Sequence, residues 1–484
     1  MYCQLEALRH CLPSSVGRIL EELPETLDGT YERVLKEINK ANRDHAYRLL
    51  QFLTVALRPL RVEELAEVLA IDFDAPADRG IPQSNPSWRW TDHHQAVLST
   101  CSSLIAIVDD GGYQVVQFSH FSVKEFLTSK RLACSSGDIS RYHILLEPAN
   151  TILAQACLGV LLRLDDRVDK NNLDDIPLLE YAARYWIDHA RFENVSSLIR
   201  DAMEYFLDAD KPHWASWSRV QMADVEWESF SMPEWFADAA SPLYFASLGG
   251  FYDLAELIVS KHPEHINARG GQMAAPLVAA LRGKHFQIAE LLYRHGAEVD
   301  VCDSEKRTPL RVACRAEILD IVEWLLNHGA DVNIQNDELW APLHSAAHGK
   351  RLEVLKMLIE NKADIHMRTS LGEFPLHLAA THVQFHEYLD REHDHIDIMQ
   401  VLLERGADPN ARDNDNATPL HQSSWWKKED YTPCLGTVEG TRLLLKHGAI
   451  IDAEDNEGRT PLQLALEHER YDIAACLKEH GATR

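Results

Sequence analysis

The chain has 484 residues, enough for two or three domains, and its 45% hydrophobic and 25% charged side chains are ordinary globular usage. Its formal net charge of -27 is uneven: residues 1–150 hold 15 basic and 20 acidic side chains, the remainder 33 and 55. Such a field disfavours nucleic acid and anionic membranes and favours basic partners, although an acidic surface also serves solubility alone.

No apolar run approaches the roughly 20 residues a membrane helix needs, and Met1-Tyr2-Cys3-Gln4-Leu5-Glu6 lacks the basic and apolar regions of a secretory leader. Nine scattered cysteines without a Cys-x-x-Cys pair fit the reduced thiols of a cytoplasmic protein better than disulfides or zinc.

The N-terminal third opens with helical patterning over residues 26–38, 45–57 and 62–70, with Pro24 and Pro59 ahead of the first and third. β-Rich runs over 104–108 and 113–118 then flank Asp109-Asp110-Gly111-Gly112, a turn whose glycines supply positive φ. Ser122-Val123-Lys124-Glu125 reads as a capping box that opens a further helix. Three helices and a hairpin outline a winged helix. Its third helix would enter the major groove if it read DNA, yet it carries Arg61, Glu63, Glu64 and Glu67, with Asp72 and Asp74 following. That acidic face favours a protein partner over DNA.

Residues 135–240 are less regular. Pro177-Leu178-Leu179-Glu180-Tyr181-Ala182-Ala183 lies 65 residues before Pro242, close to twice the spacing of the repeats that follow, as a degenerate capping repeat would. Trp186, Trp214, Trp217, Trp227 and Trp235 are expected as packing between this cap and the next element, with an aromatic ligand cluster the alternative.

From Pro242 onward the chain is periodic. Pro-Leu dipeptides at 242, 276, 309, 342, 375, 419 and 461 recur at steps of 34, 33, 33, 33, 44 and 42 residues. A Gly-Ala pair follows the Pro by 20 residues at Gly296, Gly329 and Gly481, with Lys362-Ala363 in the same place. Gly406 and Gly448 come later by the length of two insertions, so the extra residues fall between paired helices. Thr caps the first helix, Pro starts it at no hydrogen-bonding cost, and Gly ends the second in the left-handed region. Apolar stripes such as Ile321, Val322, Leu325 and Leu326 are buried only if neighbours stack.

Thr308-Pro309-Leu310, Ala341-Pro342-Leu343-His344, Phe374-Pro375-Leu376-His377-Leu378-Ala379-Ala380, Thr418-Pro419-Leu420-His421 and Thr460-Pro461-Leu462 resemble the opening of ankyrin repeats. Gly329-Ala330-Asp331-Val332-Asn333 and Gly406-Ala407-Asp408-Pro409-Asn410 resemble their ending. Upstream, Leu23-Pro24-Glu25-Thr26-Leu27, Arg58-Pro59-Leu60-Arg61-Val62-Glu63-Glu64-Leu65 and Phe118-Ser119-His120-Phe121-Ser122-Val123 resemble the GPI inositol-deacylase type of winged helix that follows the NACHT ATPase in fungal signalling proteins.

Together these imply a mainly α fold: an N-terminal winged-helix domain with a small β-hairpin (1–134), a helical linker with a degenerate repeat cap (135–240), and a C-terminal ankyrin-repeat α-solenoid (241–484). The solenoid would hold about seven repeats, with insertions in the fifth and sixth.

The family's ATPase carries a phosphate-binding loop, but no Gly-x-x-x-x-Gly-Lys-Ser/Thr occurs in this sequence; Gly283-Lys284 and Gly349-Lys350 sit at repeat turns. Met1 falls where the ATPase of a full-length relative would end, so the resemblance implies a truncated product or a fragment. It also places His120 where the family contacts an ADP phosphate, a role that needs a NACHT ATPase in trans or upstream; otherwise His120 bonds locally at a strand–helix junction.

No catalytic constellation stands out. His386-Glu387 is followed by Asp390 where a zincin needs His, and no Gly-x-Ser-x-Gly occurs. His382, His386, Asp390, His393 and His395 would chelate a metal only on a helical insertion, and a solvated loop is the simpler reading. The expectation is a non-enzymatic scaffold or sensor with no cofactor, binding proteins through its ankyrin groove. Its contact residues would be Arg311, Trp340, His344, His377 and His421, with Trp425, Trp426 and Tyr431 of an insertion. The rivals are a signalling NTPase completed upstream or in trans and a DNA-binding regulator.

Overall fold

The computed structural model describes residues 27–73, 79–101, 103–135, 137–164, 176–208, 213, 217, 241–270, 275–302, 306–383, 394–424, 426–427, 434–435 and 437–483. The protein is mainly helical and forms two compact units, residues 1–272 and 273–484. Among the described residues no helix is long and apolar enough to cross a membrane.

The first unit opens with α1 (Leu27–Glu37), α2 (Arg43–Val55), β1 (Leu60–Arg61) and α3 (Val62–Val68). A short pair, β2 (Ile71–Asp72) and β3 (Gln83–Ser84), leads to α4 (His93–Cys101), the hairpin β4 (Ile105–Asp110) and β5 (Tyr113–Phe118), and α5 (Phe121–Leu127). The sheet order is β1-β5-β4, antiparallel, with Leu60 and Ile107 both opposite Val116. The hairpin turn is tighter than the four residues expected. Gly111 and Gly112, at φ +59° and +89°, make a two-residue loop.

The helix immediately before the wing is α4, absent from the sequence expectation, so the recognition position belongs to α4 and not to the 62–70 segment. Two of the three α3 carboxylates turn inward. Glu64 is fully buried and accepts both guanidinium nitrogens of Arg58 at 2.8 and 2.5 Å, while Glu67 accepts from Arg89 at 2.6 Å. The exposed residues of α4 are His94, Gln95, Leu98 and Ser99, none of them Lys or Arg, and Asp109 and Asp110 lie at the wing tip.

Helices α6 (Lys130–Ala133), α7 (Leu146–Leu161), α8 (Leu179–Ala190), α9 (Val195–Leu198) and α10 (Arg200–Phe206) follow. A buried polar chain ties them to the winged helix. The Leu57 N–H donates to the Tyr181 hydroxyl at 3.1 Å, Tyr181 donates to His189 Nε2 at 2.8 Å, and His189 Nδ1–H donates to Asn150 Oδ1 at 2.7 Å. Burial holds His189 neutral, its pKa lowered to about 4.

Trp186 and Trp217, both fully buried, pack edge-to-face with each other at 5.9 Å. Trp217 also meets Phe245 at 4.5 Å, and Trp186 stacks on Phe251 at 6.2 Å. Phe245 and Phe251 belong to repeat 1 (Pro242–Gly249, Tyr252–Lys261), which falls within the first compact unit. These two tryptophans are packing residues; Trp214, Trp227 and Trp235 lie outside the described residues.

The second unit holds repeats 2 to 7, each a pair of antiparallel helices: Pro276–Arg282 with Phe286–Arg294, Pro309–Ala316 with Leu319–Asn327, Pro342–His348 with Leu352–Glu360, Pro375–Ala380 with Asp394–Glu404, Pro419–Ser424 with Val438–Lys446, and Pro461–Glu467 with Tyr471–Glu479. The ends obey the expected chemistry. Thr308 and Thr460 accept the N–H three residues on, at 3.2 and 3.4 Å. Gly296, Gly329, Gly406, Gly448 and Gly481 close second helices at φ +83° to +96°, and Lys362 takes the same turn at +67°. The histidine before several of these glycines donates Nδ1–H back one turn, as His328 does to Trp324 O at 2.7 Å and His480 to Cys476 O at 2.8 Å.

The insertions of repeats 5 and 6 meet. Strands β6 (His382–Val383), β7 (Trp426–Lys427) and β8 (Cys434–Leu435) form an antiparallel sheet in the order β6-β8-β7, with both His382 and Trp426 opposite Leu435.

Candidate protein-binding surface

The hairpin fingers that precede repeats 4 to 7 are each closed by one side chain. Asn336 Oδ1 accepts from Trp340 N at 2.7 Å, Thr369 Oγ1 from Glu373 N at 3.2 Å, Asp413 Oδ1 from Ala417 N at 2.9 Å, and Asp455 Oδ1 from Arg459 N at 2.9 Å. The tips are then tied together. Ser370 N donates to Glu338 O at 2.9 Å, Asn414 N to Leu371 O at 3.0 Å, and Asn456 N to Asp415 O at 2.9 Å. Gly372 permits this approach: it sits at φ +79°, and a Cβ there would lie 2.4 Å from Asn414 Oδ1. The result is a rigid row whose tip side chains, Leu339 at 45% and Leu371 at 65% exposure among them, stay in solvent.

The histidines expected at this surface are elsewhere. His344, His377 and His421 are buried, at 0%, 0% and 1% exposure, and each bridges two repeats. Nδ1 accepts the N–H of the residue before the Pro, from Ala341 at 3.1 Å, Phe374 at 3.3 Å and Thr418 at 3.1 Å. Nε2–H then donates to a carbonyl of the next repeat, Met367 at 3.1 Å, Ala417 at 3.2 Å and Arg459 at 3.1 Å. One nitrogen must accept and the other donate, so the ring is neutral. Burial lowers the pKa of His344 and His377 to about 4, and that of His421 also falls. These residues hold the array together and are not contacts. In repeat 7, Gln463 keeps only the capping bond, its Oε1 accepting from Thr460 N at 2.9 Å.

Arg311 and Trp340 are half-buried, the Arg311 guanidinium 6.0 Å from the Trp340 ring. Trp426 contributes backbone to β7, whereas Trp425, Tyr431, His386, Asp390 and His393 lie outside the described residues. His395 is buried and its Nε2 bonds Thr437 Oγ1 at 2.9 Å, at the N-cap of the second helix of repeat 6. No group of three or more His, Cys, Asp or Glu is placed to hold a metal among the described residues.

His120 is exposed and N-caps α5: its Nδ1 lies 2.6 Å from Ser122 Oγ and accepts from Ser122 N at 3.3 Å. The cap is therefore His120, and Ser122, expected to cap, instead bonds the Tyr31 hydroxyl at 2.8 Å. The His120 ring lies against Phe121, which is 70% exposed.

Residues missed by sequence reasoning are the tip leucines Leu339 and Leu371 and the half-buried acids Glu373 and Asp413. Burial raises the pKa of both acids, and for Glu373 the Asp413 charge adds to it. For Glu373 a signal lay one residue before the repeat opening, where the series reads Trp340, Glu373, Ala417, Arg459.

Comparison with known proteins agrees with this architecture. Residues 243–336, 343–435 and 391–483 match the ankyrin-repeat family, and residues 31–137 match the winged helix domain of GPI inositol-deacylase. The chain thus carries ankyrin repeats in its C-terminal half and a winged helix of the GPI inositol-deacylase type near its N-terminus. It is 30% identical over 299 residues to azaphilone pigments biosynthesis cluster protein L of Monascus ruber, covering 58% of this chain and 61% of that protein. It is 26% identical over 195 residues to vegetative incompatibility protein HET-E-1 of Podospora anserina, covering 36% of this chain and 13% of that protein. The chain thus spans less than two thirds of the length of either relative.

Proposed function

We propose that this chain is a non-enzymatic, cytoplasmic docking protein whose finger and first-helix face receives a protein partner, as a scaffold or sensor in fungal signalling. The fingertip ladder carries the reading. Backbone bonds fix the tips before any partner arrives, so Leu339, Leu371 and the Arg311–Trp340 pair are presented at little ordering cost. Ankyrin repeats and winged helices are not catalytic folds.

The test is capture of partners from a fungal lysate by the full chain, repeated with Trp340→Ala combined with Leu371→Ala. Loss of specific partners is expected, and retention of every one of them overturns the reading. The same capture with Trp425→Ala and Trp426→Ala asks whether the insertion contributes.

A second reading is supported by exposed His120 and Phe121: the winged helix docks a NACHT ATPase supplied upstream or in trans, with His120 near its ADP phosphate. An unchanged affinity of the His120→Ala protein for a cognate ATPase domain and its ADP removes that role. Nucleic acid is disfavoured because neither α4 nor the wing tip presents Lys or Arg.

A further inference from the structure

We propose that the notch at Ala417, between the fingers of repeats 6 and 7, takes an arginine side chain of the protein partner, with the Asp413 carboxylate as its acceptor. This rests on the reading of the finger face as a protein-docking surface and names what that surface recognises.

The two fingers are built alike. Asp413 N donates to Ala417 O at 3.0 Å as Asp455 N does to Arg459 O, and Asp415 N and Ala417 N reach Asp413 Oδ1 at 2.9 Å as Glu457 N and Arg459 N reach Asp455 Oδ1. They differ at the other carboxylate oxygen. In repeat 7 two guanidinium nitrogens of Arg459 bind Asp455 Oδ2, each at 3.0 Å.

In repeat 6 the residue at that position is alanine, and Asp413 Oδ2 has only Gln422 Nε2 at 3.4 Å. Beside Ala417 lies a cavity of about 310 Å³ whose walls include Asp413, Asp415, Ala417, Gln422, Asp455 and Arg459. Among the described residues no cation pairs with Asp413 or Glu373, although each is part-buried and Glu373 adds a second negative charge.

The fold therefore contains one finger in which a guanidinium satisfies the carboxylate and a neighbouring finger of the same backbone bonding in which, among the described residues, no cation does so. A planar fork of N–H donors is the group that matches a carboxylate edge with two parallel bonds, which a lysine ammonium cannot supply.

The experiment selects peptides from a displayed random heptamer library on the full chain and measures the Kd of synthetic copies by calorimetry. Arginine is expected in the selected peptides, and its replacement by neutral, near-isosteric citrulline is expected to weaken binding about tenfold or more, as for loss of a charged hydrogen-bond partner. Ala417→Arg supplies the guanidinium from within. It should block these peptides by a similar factor while leaving the melting temperature unchanged or raised.

Equal affinity of the citrulline peptide, or of the Ala417→Arg protein, overturns the proposal. If selected peptides lack arginine but are still lost with Trp340→Ala and Leu371→Ala, the arginine site falls and the docking face stands. Failure to select any peptide overturns both.

Discussion

The two units solve the problem of buried polar groups in opposite ways. In the array the same short bridge recurs: a histidine accepts one N–H in its own repeat and donates to one carbonyl in the next. In the N-terminal unit the bonds that join separate elements are individual: Leu57 N–H to Tyr181, and His189 to Asn150, each occur once among the described residues. A bond repeated between adjacent repeats confines damage to one interface, whereas single bonds that join distant segments make a region stand or fall together.

The largest effect that would sharpen this contrast is in the first unit. Trp186 touches Phe206, Trp217 and Phe251 at 5.4, 5.9 and 6.2 Å, so Trp186→Ala removes the centre of a cluster drawn from the linker and repeat 1. A loss of about 3–5 kcal/mol is expected. Hydrogen exchange should show lost protection through the first unit and unchanged protection in repeats 5 to 7. Uniform loss across both units would break the contrast. His377→Ala comes next, at about 1–3 kcal/mol, because it leaves the part-buried Phe374 N–H unpaired and takes from the Ala417 C=O one of its two donors, the other being Asp413 N. Its loss of protection should be confined to repeats 5 and 6.

These two changes also mark what the sequence made legible. The periodic Pro-Leu and Gly-Ala pairs locate the repeat helices and their caps, because each such residue acts on its own backbone. The histidine of the same motif misleads: its polarity suggests a contact, while its role needs a carbonyl 23 to 40 residues away that no local pattern reveals. Helix α4 was missed for a related reason. His93-His94-Gln95-Ala96-Val97-Leu98 has little periodicity, and tertiary burial of Ala96 and Val97 carries the helix.

Acid offers a third way to test the bridges. His344 and His377 titrate at about 4 in the folded protein and near 6.5 in the unfolded chain, so between these values the unfolded state binds more protons. Their stabilisation is complete above pH 6.5, falls as the pH drops, and levels off below about 4. At pH 5 each should have lost about 2 kcal/mol. Denaturant midpoints measured from pH 7.5 to 5 should fall less steeply in His377→Gln, since glutamine does not titrate. Equal slopes would remove the protonation argument.

The smallest effects come from neighbouring positions at one fingertip. Gly372→Ala adds a methyl at φ +79° against Asn414 and should cost roughly 1–2 kcal/mol, read as a lower denaturant midpoint. Leu371→Ala deletes a larger side chain that is 65% exposed, and stability should stay within about 0.5 kcal/mol, because the Leu371 carbonyl still accepts from Asn414 N. The tip is thus held by its backbone and varied through its side chains, which lets a docking row change what it recognises without losing its shape. A Leu371→Ala protein destabilised as much as Gly372→Ala would mean that the leucine packs on a neighbour and is not part of a free surface.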